Sequence, residues 1–143
     1  MTRLSPAALI AALLTFALQV PGTAMADDRI ASGEWQLLAI DGVPVRAEAT
    51  FALEPEGRVS GRAACNRYFG TNGAELPRLS LGALGSTRMF CDDQAEEDAY
   101  LTALSAMEVA EIREGHLIMA GGDRVLEFVR DRGEKGLVCQ TCD

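Results

Sequence analysis

The chain is short of the side chains from which most catalytic centres are built. His116 is its one histidine and Lys135 its one lysine. A single imidazole with no paired nucleophile and no second ligand supplies neither a hydrolytic triad nor a metal pair. No catalytic, cofactor-binding or metal-binding residue is therefore assigned, and the chain reads as a non-enzyme. His116 follows Gly115 at a strand start and is expected at a surface turn. Twelve of the 13 basic residues are arginine, which is read as coding bias; an acidic surface without a basic stripe argues against nucleic acid and anionic membranes as partners. Zinc would need two suitably spaced cysteine pairs, and only Cys139 and Cys142 are so spaced. The acids Asp92, Asp93, Glu96, Glu97 and Asp98 lack the alternating loop and glycine of a calcium site. No internal repeat and no linker divides the chain.

Long apolar runs are missing too, apart from Ala7 to Val20. That run of 14 residues falls short of the roughly 20 a membrane span needs. Arg3 precedes it and Ala24-Met25-Ala26 follows, so residues 1–26 read as a signal peptide cut after Ala26. No cysteine follows the cut, so no lipoprotein attachment and no stable membrane span are expected, and the protein is placed in the periplasm or outside the cell. The remaining 117 residues have a single-domain length. Losing Arg3 leaves 12 basic against 21 acidic residues, a formal charge of −9, which favours solubility. Four cysteines in an exported chain are expected to be oxidised, in one of three pairings. Cys65–Cys91 with Cys139–Cys142 is the pairing adopted, because the first two bracket the central block and the last two sit together in the tail.

What is present reads mainly as strands. Glu34–Ile40 alternates, with Trp35, Leu37 and Ala39 on one face, and Asp41-Gly42 is a tight-turn pair leading to a short edge at Val43–Val45. Thr50–Leu53 and Arg58–Ala63 form a hairpin around Glu54-Pro55-Glu56-Gly57, and Gly61 marks a bulge or a close backbone approach. Asn66–Gly70 is expected to turn the chain. Leu79–Leu81 and Ser86–Phe90 read as short strands. One helix follows, with Asp93 as N-cap and Glu96 completing a capping box. Its Tyr100, Ala103, Leu104 and Met107 form one apolar face. Val109–Arg113, His116–Ala120 and Val125–Arg130 form a meander. The fold class is α+β: a curled, mainly antiparallel β-sheet, partly barrel-like, with one main α-helix packed on it, burying Trp35, Phe51, Leu104 and Phe128. The domain spans 27–130, and 131–143 is a polar tail.

Cys65-Asn66-Arg67-Tyr68-Phe69-Gly70, then Thr87-Arg88-Met89-x-Cys91, then an acidic helix start, resemble the META domain (HslJ-like) family. The Gly57-Arg58-Val59-Ser60-Gly61 return and the final hairpin, Gly115-His116-Leu117 to Val125-Leu126-Glu127-Phe128, are similar as well, so the resemblance covers about Ile30 to Arg130. The family pattern has glycine before Cys-Asn where this chain has Ala64, and an ordinary backbone is expected there. The Cys139/Cys142 tail lies outside the pattern. The resemblance implies a small exported envelope domain tied to stress, drug tolerance or secretion, and no catalytic residue.

Two features retain chemical interest. Cys139-Gln140-Thr141-Cys142 has redox spacing but no helix N-terminus in a βαβ setting, and reads as a tail disulfide or a free pair. Arg67 and Arg88 sit beside an aromatic or methionine in the central block. They would recognise an anionic group on a ligand or partner, or else form ion pairs with the abundant acids. The favoured function is contact with an envelope partner or client protein. A binder of small apolar molecules or lipid in the curled sheet is the alternative, and a thiol-redox protein using Cys139 and Cys142 ranks below it.

Overall fold

Two-residue turns set the path of the sheet. Asp41-Gly42 and Glu114-Gly115 hold positive φ at both positions, 51° and 75° in the first and 48° and 91° in the second. That geometry lets a tight hairpin follow the right-handed twist of its strands. The turns join β1 (Glu34–Ile40) to β2 (Val43–Pro44) and β7 (Val109–Arg113) to β8 (His116–Gly121). The computed structural model describes residues 28–133. Its other strands are β3 (Thr50–Leu53), β4 (Arg58–Ala63), β5 (Asn66–Thr71), β6 (Gly85–Ser86) and β9 (Arg124–Val129), and helix α1 (Gln94–Ser105) lies between β6 and β7.

The strands form one antiparallel sheet in the order β6-β5-β4-β3-β1-β9-β8-β7, with β2 beside the end of β1. The sheet curls without closing as a continuous ladder. The connection after β5 reaches across to the far edge instead. Leu79 N donates to Glu108 O at 2.7 Å, Ala110 N donates to Pro77 O at 2.8 Å, and Arg78 bridges to Val109. Asn72 shapes this crossing: its Oδ1 accepts from Ser80 N at 2.7 Å, and its Nδ2 donates to Ala74 O at 2.9 Å. Buried polar side chains of this kind persist when their hydrogen bonds are made.

The concave face is apolar. Trp35, Leu37, Phe51, Val59 and Tyr68 meet Leu117, Met119, Leu126 and Phe128 there, and α1 adds Tyr100, Ala103 and Leu104. The helix packs against β4 and β9, which flank β3 and β1 in the sheet, so it lies across the curl. Tyr100 sits edge-on to both Tyr68 and Phe128, with ring centroids 5.8 and 6.3 Å apart. Burying each such ring is worth roughly 1.5–3 kcal/mol. At Gly61 a Cβ would lie 2.1 Å from Thr50 O and 2.7 Å from Tyr68 Oη, so the close approach expected there is a steric requirement for glycine.

Several local expectations need correction. Asn66–Gly70 does not turn the chain but forms most of β5. The turn is one step earlier, at Ala64-Cys65, and the alternation of buried Asn66 and Tyr68 with exposed Arg67 and Phe69 is the strand signal. Ala64 is not in ordinary backbone: its φ is 52°. It is the first central residue of a two-residue hairpin loop between Ala63 and Asn66, where glycine is favoured. Of Ser86–Phe90, only Ser86 is in a strand, and Leu79–Leu81 contributes no regular strand. Asp93 occupies the N-cap position without a side-chain cap bond, at φ −90° and ψ 17°.

Candidate contact site at the Cys65–Cys91 clasp

Asn66 opens β5 with its side chain turned inward and 3% exposed. Its Oδ1 accepts from Met89 N at 2.6 Å and from Thr87 Oγ1 at 2.8 Å. Its Nδ2 donates to Met89 O at 3.0 Å and to Glu97 Oε1 at 2.7 Å. The side chain thus engages residues 87–89 directly, and this is why the ladder beyond β6 gives way to a loop. Glu97, from the first turn of α1 and also 3% exposed, closes the arrangement. Its Oε2 accepts from Cys65 N at 3.0 Å and from Asn66 N at 2.8 Å. Hydrogen bonds to a charged group of this kind are worth about 1.5–3 kcal/mol each. A disulfide joins Cys65 to Cys91, with their Cα atoms 6.1 Å apart. The hairpin turn, the loop and the helix start are therefore tied at one point.

The neighbouring acid does similar work. Glu96 accepts from Ala47 N at 2.9 Å and pairs with Arg46 at 3.5 Å. The Ala47 amide holds this carboxyl below the usual range, outweighing a small opposing effect of burial. Glu96 and Glu97 thus fasten two passing stretches of chain to α1. Glu97 was hidden among the acids of the helix start. Extending the apolar face of Tyr100 and Leu104 back one turn reaches it, and an acid on that face is the signal that could have singled it out.

The clasp displays what it holds. Met89 is 63% exposed and Phe90 93%. An open groove of about 410 Å³ runs between this loop and α1, lined by Asn66, Thr87, Arg88, Met89, Phe90 and Leu101 among others. Arg88 stands in the groove wall. Arg67 stands on the outer face of β5, its main chain bonded to Thr87 through Arg67 N to Oγ1 at 3.1 Å and Thr87 N to Arg67 O at 2.9 Å. Among the described residues neither arginine makes an ion pair, so the structural pairing offered as their alternative role is not formed there. The groove offers polar and apolar contact.

The other candidates lie elsewhere. His116 is not at the surface as expected: it is 5% exposed, and its Nδ1 lies 2.9 Å from Glu127 Oε1, itself buried. Tyr68 and Tyr100 place their hydroxyls 2.9 Å apart, both on the carbonyl of Thr50, at 2.7 and 3.1 Å. Burial drives both phenols well above their ordinary pKa. Tyr68 and Tyr100 are 32 residues apart in the chain; His116 and Glu127 are 11 apart in one hairpin, and their pairing needed the strand register. Among the described residues no group of three or more His, Cys, Asp or Glu is placed to hold a metal ion, and no helix is long and apolar enough to cross a membrane. Cys139 and Cys142 lie outside the described residues.

The curled antiparallel sheet crossed by one helix, with a Cys-Asn hairpin clasped to the helix start, defines a class of small α+β domain. Residues 28–133 match the META domain family model, and the chain belongs to the META domain family. No curated protein matches. Among solved structures, an NMR structure of a protein from Burkholderia xenovorans is similar at 23% identity and a TM-score of 0.60, over 92% of this chain and 99% of that one. A second NMR structure matches at 18% identity and a TM-score of 0.60, over 72% of this chain and 92% of that one. A crystal structure of a DUF4847 family protein from Bacteroides vulgatus ATCC 8482 matches at 12% identity and a TM-score of 0.53, over 73% and 96% of the two chains. These likenesses concern the fold.

Proposed function

We propose that this META domain is an exported, non-enzymatic contact module of the bacterial envelope that engages a partner or client protein through the clasp loop Arg88–Phe90. The observation that carries this reading is Phe90, 93% exposed on a segment fixed from one side by Asn66 and from the other by the Cys91 disulfide. Large apolar side chains held out on an ordered segment resemble the anchors of protein interfaces more than ordinary surface residues. Export rests on the leader-like residues 1–26 and accords with a disulfide-forming compartment. A role in stress or drug tolerance is what the family resemblance implies.

The alternative, a small apolar ligand inside the curl, gains little support. A space inside the curl between Leu37, Val45, Ala49 and Tyr100 is about 10 Å³, room for one water at most. The test is a photo-crosslinking amino acid at position 90 in exporting cells, with a second placed at Ala74 as control. A discrete crosslinked protein at position 90, lost at position 74, is expected. The absence of any crosslink at 90 under both normal growth and envelope stress counts against the reading.

A further inference from the structure

Arginines in this acidic chain are mostly matched. Arg46, Arg58, Arg113 and Arg124 pair with Glu96, Glu54, Glu111 and Asp41, and Arg130 and Arg132 donate to main-chain carbonyls. Arg29, Arg62, Arg67, Arg78 and Arg88 have no ion pair among the described residues, and of these Arg62 and Arg67 are set apart by their placement. They stand directly opposite each other across β4 and β5, both are exposed, and neither has a carboxylate partner among the described residues. Like charges facing across a strand pair destabilise it, and 21 acids were available to relieve them. Glu34, on the same outer face but in the neighbouring row that runs through Ala52 and Ser60 to Phe69, is instead engaged with Thr50 Oγ1 at 3.0 Å.

Phe69 follows Arg67 by two residues and so shares its face. It is 59% exposed, and its ring lies against bare backbone at Gly85, where a Cβ would be 2.6 Å from the ring. The outer face of β4–β5 thus presents two uncompensated guanidinium groups and an aromatic ring. It is bordered by β6, which is paired on one side only among the described strands.

We propose that this face is a docking surface for an extended acidic peptide segment of another protein, with a carboxylate side chain two residues from an apolar one. This rests on the reading of the domain as a contact module. Charge complementarity selects the carboxylates: guanidinium groups bind them in bidentate fashion. Spacing selects the extended form. Residues two apart in a strand repeat at about 6.6 Å, which matches Arg67 to Phe69.

The test uses the mature protein and a fluorescein-labelled peptide of alternating glutamate and leucine, read by anisotropy. Alternating lysine–leucine peptide, phosphatidylglycerol vesicles and inorganic phosphate serve as parallel arms. Saturable binding of the acidic peptide is expected, weakened about tenfold by the double substitution Arg62→Glu, Arg67→Glu and also weakened by Phe69→Ser. The charge-reversed protein should gain affinity for the lysine peptide, which separates lost recognition from lost folding. Equal binding by native and reversed protein overturns the proposal, as does no saturable peptide binding. Vesicle or phosphate binding without peptide binding overturns it in favour of an anionic lipid or small-anion site. Crosslinking at Phe90 alongside a negative peptide result sinks this inference alone, whereas failure at Phe90 sinks the contact reading itself.

Discussion

Ala64 carries a strain that its neighbours impose. Its φ of 52° belongs to the two-residue hairpin loop between Ala63 and Asn66, which also presents Cys65 N and Asn66 N to Glu97 Oε2. An L-residue with a Cβ is disfavoured in this region by about 1–2 kcal/mol, while glycine loses about 0.5–1 kcal/mol through its unfolded-state freedom. Ala64→Gly should therefore raise stability by up to about 1 kcal/mol in urea melts, whereas Ala64→Val should lower it. Tyr68 and Tyr100 are the only tyrosines, and burial raises both phenol pKa values. Their contribution is complete below the unfolded value of about 10 and is lost as pH climbs toward the native values, since only the unfolded chain releases these protons in between. Phenolate absorbance should stay absent from the folded protein at pH 10.5 and appear together with the loss of far-UV structure on further alkalinisation. Phenolate formation in a still-folded protein at pH 10.5 would contradict the buried pair.

At the level of elements, α1 is a fastening device as much as a core helix. Its first turn bonds Ala47, Cys65 and Asn66, and Tyr100, one turn on along the same face as Glu97, meets Tyr68 and Phe128. The disulfide adds a covalent tie across a separation of 26 residues, worth roughly 3 kcal/mol in the chain-entropy model. Cys65→Ser with Cys91→Ser should lose about that much in denaturant titration yet stay folded, because the Asn66–Glu97 hydrogen bonds do not need the sulfurs. A double variant that fails to fold at 25 °C would show that the hydrogen-bonded clasp cannot stand alone. These elements were unevenly legible. β1, β3, β4, β7 and α1 follow from alternation, turn dipeptides and the Tyr100–Met107 face. β5 was missed because Asn66 and Gly70 resemble turn residues, although its alternation was present. The loop beyond β6 is held by Asn66 and the helix start by Glu97, whose partners across the clasp lie 21 to 32 residues away, beyond any local pattern. Arg67 and Arg88 were identifiable as polar residues of interest. Their lack of carboxylate partners, and the opposition of Arg62 to Arg67, required the strand register.

Across the whole molecule, a formal charge of −8 makes acid an informative probe. Glu96 is held below its ordinary value of about 4.5, mainly by the Ala47 amide. Its contribution is full above that value and is lost as pH falls through the lower native pKa, where protonation ends its role as a charged acceptor. Glu96→Gln should therefore flatten part of the decline in stability below pH 4.5 while lowering stability at pH 7. An unchanged acid limb would show that the Ala47 bond is not maintained in solution.

The pairing of β1 with β9 closes the path of the described chain into a ring, although the sheet itself stays open. Arg130 reaches back over the Trp35 ring, 3.6 Å from its centroid, and donates to Arg29 O at 2.8 Å, so the two ends of the described chain lie side by side. Where the polypeptide is opened then matters less than which strands are neighbours. A circular permutant that joins Gly133 to Asp28 through a short glycine–serine linker, and opens in the exposed turn at Pro55–Glu56, should keep the same sheet. Its melting temperature should fall within about 5 °C of the parent, and a permutant without cooperative melting would refute the ring. The order in which strands are written in this sequence is then one of several that the same set of contacts would accept.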